Sequence, residues 1–107
     1  MRLTLPAICC AISTALAGAP AAAEGDPVKG GKIARELCVR CHNVEPGGPF
    51  KLMPPSFAAI AVYRTDEQIF ARIMFPPLHA GMPEIGDQLT PFNVAHLVAY
   101  IRSLEGR

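Results

Sequence analysis

The sequence predicts an all-α domain with a helix near each end and two irregular loops between. Three observations predict it. Asp26-Pro27 and Thr90-Pro91 each set an N-cap residue before a proline suited to the first helical position. The last stretch carries a helical face, with Val94, Leu97, Tyr100, Ile101 and Leu104 at i, i+3, i+6, i+7 and i+10. No convincing strand and no internal repeat breaks the pattern.

Taken in order, the 107 residues suit one domain behind a leader. Met1-Arg2 is a short basic start, Leu3 to Ala17 is apolar and uncharged, and Ala21-Ala22-Ala23 offers a cleavage site before Glu24. Residues 1–23 therefore read as a cleaved secretory signal peptide and 24–107 as the domain. An uncleaved anchor is disfavoured by Pro6, Gly18 and Pro20. Cys9 and Cys10 leave with the leader, as does Arg2, so the domain carries nine basic and nine acidic side chains. That neutral balance indicates no nucleic-acid partner.

A first helix is expected from Pro27 to about Cys38, with Ile33 and Leu37 facing inward. Gly30 and Gly31 are costly inside it and read as a notch for a closely approaching helix, with Tyr100 the ring that meets it. Residues 43–55, with Pro46, Gly47, Gly48, Pro49, Pro54 and Pro55, form a turn-rich loop. Ser56 to Val62 is a short helix candidate. Thr65 to Gln68 is a capping box opening a helix from Asp66 to about Phe75, striped by Ile69, Ile73 and either Phe70 or Met74, and stopped by Pro76-Pro77. Leu78 to Leu89 is the second irregular segment.

Chemistry concentrates at Cys38-Val39-Arg40-Cys41-His42, a C-x-x-C-H. Two thiols three positions apart on a helical turn can add to two vinyl groups along one porphyrin edge. The histidine that follows can then bind the iron, which is the signature of covalent haem c attachment. A zinc site wants four Cys and His ligands, and no other cysteine lies outside the leader. A thioredoxin-type motif needs a βαβ context that is absent. A structural Cys38–Cys41 disulfide is the remaining alternative. In a domain this short, a buried haem would serve as both core and staple.

With these pieces assembled, the domain resembles a class I cytochrome c over essentially its whole length. The matching residues are G-D-x-x-x-G at Gly25 to Gly30, C-x-x-C-H at Cys38 to His42, P-S-F at Pro55 to Phe57, M-P at Met82-Pro83, and L-x-A-Y-I at Leu97 to Ile101. The resemblance implies one covalent haem held between crossed N- and C-terminal helices, with His42 as proximal and a later methionine as distal ligand. Met82 is the expected distal ligand by register. Met74 falls at core spacing, Met53 sits in the loop that passes the His42 side, and His79 is the competing ligand. Pro55 matches the family proline whose carbonyl orients the proximal histidine, with Pro54 one register away. Ala34 stands where the family often has an aromatic, which implies a looser terminal-helix contact. Arg64 and Lys51 are candidates for the haem propionates, and His96 reads as an exposed side chain.

The expected function is one-electron transfer in the periplasm between a redox protein donor and acceptor, through brief contacts and without enzymatic turnover. The domain is expected to be a monomer or a subunit, with no stable membrane insertion. Pro76, Pro77, Leu78, Ala80, Gly81 and Pro83 would form an uncharged docking rim. The alternatives are a cytochrome subunit of a periplasmic dehydrogenase or oxidase complex, and a haem sensor or peroxidase with a labile Met82.

Overall fold

The computed structural model describes residues 25–77, 81–83 and 85–107. The leader read at 1–23 lies outside them, as do Leu78, His79, Ala80 and Glu84.

Helix α1 spans Pro27–Ile33 and opens as its sequence dictates. Asp26 Oδ1 accepts from the N–H groups of Val28 and Lys29 at 2.9 and 3.3 Å, and Pro27 gives up an N–H that has no helical partner anyway. The chain runs on into a wider π-helical turn, Ala34–Cys38, which delivers the first cysteine. Such turns are scarce and gather at functional sites. Ile33 and Leu37 both pack against the core.

Helix α2 covers Phe57–Tyr63, one residue later than expected, because Ser56 serves as its cap. The fully buried Ser56 Oγ accepts from the Ala59 N–H at 3.2 Å. Helix α3, Asp66–Met74, starts with a reciprocal capping box: Thr65 Oγ1 accepts from the Gln68 N–H, and Gln68 Oε1 from the Thr65 N–H. Ile69 and Ile73 are its buried residues, with Phe70 and Met74 flanking the core. After a 3-10 turn at Gly86–Gln88, helix α4 spans Pro91–Ser103. Thr90 and Asn93 form a second capping box there. Among the described residues there is no strand, only a bridge between Leu52 and Pro55. No helix among them is long and apolar enough to cross a membrane.

The fold is built on α1 crossing α4, its most extensive helix contact. A Cβ on Gly30 would lie 1.9 Å from the His96 carbonyl oxygen, so only glycine admits this approach. Beside Gly31, the same test meets the Tyr100 ring at 3.0 Å. Ala34 does not loosen the contact: it is completely buried, and the backbones come close because the notch residues lack side chains. The face predicted for α4 is buried throughout, with Val94, Leu97 and Ile101 almost fully enclosed.

Two polar ties escape the hydrophobic pattern. The Arg102 guanidinium donates to the carbonyls of Ala61, at 2.5 Å, and Arg64, and to the Asp66 carboxylate, locking α4 to the α2–α3 junction. His96, expected to be exposed, is half-buried, and its Nδ1 accepts from the Asp26 N–H at 2.8 Å. The ring thus ties the start of α1 to α4. His96→Ala should lower the unfolding free energy by about 1 kcal/mol, measured by urea denaturation. An unchanged midpoint would mean that water serves the Asp26 N–H equally well.

Candidate functional site

The π turn, the loop after it, α3, the 81–83 segment and α4 enclose one cavity of about 260 Å³. Leu37, Ile60, Ile69, Ile73, Leu97 and Ile101 give it apolar walls. Into it the fold brings Cys38, Cys41, His42, Pro55 and Met82, residues spread over 45 positions of sequence. Cys38 and Cys41 are free thiols, the first buried and the second exposed. Burial pushes the Cys38 thiol up to about 11, so it stays a neutral thiol at physiological pH.

His42 Nδ1 lies 2.6 Å from the Pro55 carbonyl oxygen. A carbonyl can only accept, so Nδ1 carries the proton, and in the neutral tautomer the lone pair is then on Nε2. The contact falls on Pro55 rather than Pro54. The same loop is held at the Asn43 carbonyl, which accepts from the Phe57 N–H at 2.9 Å. One residue further, the buried Tyr100 hydroxyl donates to the Val44 carbonyl at 2.7 Å.

The three methionines within the described residues separate by position. Met82 is half-buried, packs against the core and lines the cavity. Gly81, just before it, turns the chain with φ at 67°. Met74 packs on the core and does not line the cavity. Met53 borders the cavity but is 89% exposed, in the stretch that leads to Pro55. The competing His79 lies outside the described residues, as do Leu78 and Ala80 of the expected rim. Pro77, Gly81 and Pro83 of that rim are exposed, and Pro76 is half-buried.

Of the two basic residues considered for propionates, Arg64 lines the cavity and Lys51 does not. Gln68 and Arg72 also line it and were missed by the sequence reading. Their i, i+4 spacing beside the buried pair Ile69 and Ile73 was the available signal. Phe57 entered the sequence reading only as part of the P-S-F stretch, with no role at the site, yet its ring packs on His42, with centroids 5.6 Å apart.

This donor set fits the group that a C-x-x-C-H implies. Two thiols, one imidazole and one thioether face an apolar cavity that no side chain of the described residues fills. Over 62 residues the chain is 36% identical to the cytochrome c2 of Pararhodospirillum photometricum. The match covers 58% of this chain and 52% of that protein, so the chain spans about half the length of the curated relative it matches. No family model matches the chain, and no solved structure matches it. The helical fold and this similarity together support recognition of the chain as a class I c-type cytochrome.

Proposed function

We propose that the protein is a monohaem c-type cytochrome that carries single electrons between periplasmic redox proteins and is not itself an enzyme. The observation that carries this reading is the convergence of Cys38, Cys41, His42 and Met82 on one apolar cavity. Haem c, when bound, supplies a one-electron ferric/ferrous couple. Cys38 and Cys41 would hold it covalently and so retain it through changes of oxidation state. His42, its tautomer fixed by Pro55, would offer Nε2 to the iron. Met82 would offer its sulfur to the iron, and a thioether donor would raise the potential. An iron held by both His42 and Met82 would leave no open position for oxygen or peroxide, which favours a carrier over a catalyst. Arg64 and Arg72, which both line the cavity, are the cations that would meet a haem carboxylate. The signal-peptide pattern at residues 1–23 supports the periplasmic address.

The visible spectrum of the purified protein, oxidised and reduced, tests this. A low-spin haem c spectrum with a weak long-wavelength sulfur-to-ferric-iron band is expected. A high-spin spectrum, or ready carbon monoxide binding at neutral pH, would overturn the carrier reading. Because basic and acidic side chains balance in the domain, electron-transfer rates should fall only modestly with ionic strength. A steep loss with added salt would contradict that.

A second reading, a subunit of a larger redox complex, is favoured by one observation. Phe50 and Tyr63 meet edge to face at 6.2 Å while both stay exposed, and Leu52 and Met53 near Phe50 in sequence are exposed too. Apolar surface of this kind often marks an interface. Copurification with a larger enzyme would distinguish the two readings.

A further inference from the structure

We propose that Phe57 is a positioning residue for the axial imidazole. Its ring backs the His42 ring and, with the Pro55 carbonyl, sets the plane in which His42 meets the iron. The inference rests on His42 being an axial ligand.

The hydrogen bond from His42 Nδ1 to Pro55 selects a tautomer, but it does not lock the ring. The last torsion of a histidine side chain is broad, and a hydrogen bond tolerates tens of degrees of misalignment. A second restraint is needed to fix the plane, and Phe57 supplies it. The two rings sit 5.6 Å apart at 52°, a tilted aromatic contact within the attractive range. Phe57 is 4% exposed, so its ring is itself held by packing.

Three ties hold Phe57 in turn. It is the first residue of α2, whose cap Ser56 is fully buried and accepts from the N–H groups of Ala59 and Lys51. Its own N–H donates to the Asn43 carbonyl. On its far side it meets the Tyr100 ring at 6.4 Å and 62°. Three consecutive residues after the second cysteine are thereby gripped in turn. Pro55 takes the His42 side chain, Phe57 the Asn43 carbonyl, and Tyr100 the Val44 carbonyl. The Phe57 ring lies in contact with both His42 and Tyr100, so it couples the crossing of the terminal helices to the imidazole.

If Phe57 only filled space, any apolar side chain of similar bulk would serve. If its flat ring sets the imidazole plane, the electronic axes at the iron must follow the substitution. The test uses the holoprotein. Phe57→Leu keeps apolar bulk and removes the ring, and Phe57→Tyr restores the ring. The readouts are the g values of the ferric protein by electron paramagnetic resonance and the spread of its haem-methyl proton shifts by NMR, alongside thermal unfolding. Phe57→Leu should move the g values and the methyl spread while the absorption spectrum stays low-spin, and Phe57→Tyr should return both toward wild type. Should the leucine variant not accumulate, Phe57→Met gives the same comparison, being apolar and ringless. Loss of stability with unmoved g values and methyl spread would overturn the inference alone. A wild-type protein with no low-spin ferric signal would overturn the axial-ligand reading and this inference with it.

Discussion

Gly30→Ala should destabilise the protein by about 3 kcal/mol or more, a large share of the roughly 5–15 kcal/mol that holds a small domain folded. Alanine is the better helix former by about 1 kcal/mol, so propensity alone would predict a gain. The added methyl decides otherwise. It would stand 1.9 Å from the His96 carbonyl oxygen and 2.5 Å from its carbon. Both are backbone atoms of a packed helix, and neither can rotate away. Relief requires α1 and α4 to separate, which would open the buried contacts of Val94, Leu97 and Ile101. The His96 ring, whose backbone moves with the clash, would also lose its hold on the Asp26 N–H. For a domain of this size the expected fall in Tm is on the order of 15 °C. Gly31→Ala is the control. Its nearest contacts are the Arg35 guanidinium and the Tyr100 ring edge, each at 3.0 Å, and the former is the end of a flexible side chain. That variant should fall far less, since the helix-propensity gain offsets part of the crowding. Equal losses in the two variants, or none in Gly30→Ala, would mean that the helices do not cross at Gly30.

That notch was legible because glycines inside a helix ask for an explanation and Tyr100 stood at the far end of the chain to give one. The helix starts were legible for a similar reason, since Asp26-Pro27, Thr65 with Gln68, and Thr90-Pro91 act on the N–H groups of their own first turn. What escaped was polar and non-local. His96 accepts from a backbone N–H 70 residues away, and Arg102 donates to two carbonyls. A backbone partner has no side-chain identity for a pattern to show, and periodicity records only apolar faces. Ala34 misled by analogy. A small residue in place of an aromatic suggested slack, but approach of the backbones at Gly30 takes up the space. The doubled proline at Pro54-Pro55 left a one-residue ambiguity that sequence could not resolve. The carbonyl beside His42 is that of Pro55, where the loop bridges back to Leu52.

Met82→Ala should abolish the weak long-wavelength absorption band and lower the reduction potential by on the order of 0.2 V, well inside the ~0.8 V that axial ligands span. Alanine has no donor atom and is too short to place one. Met82 is half-buried and packs on the core, so truncation also opens the cavity on that side. Carbon monoxide should then bind the reduced variant readily and the wild type poorly. Met53→Ala is the matched control: Met53 also borders the cavity and also precedes a proline. Met53 is 89% exposed and lies in the stretch leading to Pro55, whose carbonyl meets the His42 ring. Its loss should leave the band, the potential and the carbon monoxide response unchanged. A band that survived Met82→Ala and vanished in Met53→Ala would reverse the assignment of the two loops to the two haem faces. A wild type that is low-spin yet lacks the band would point to His79 instead, and His79→Ala would then take over the phenotype expected of Met82→Ala.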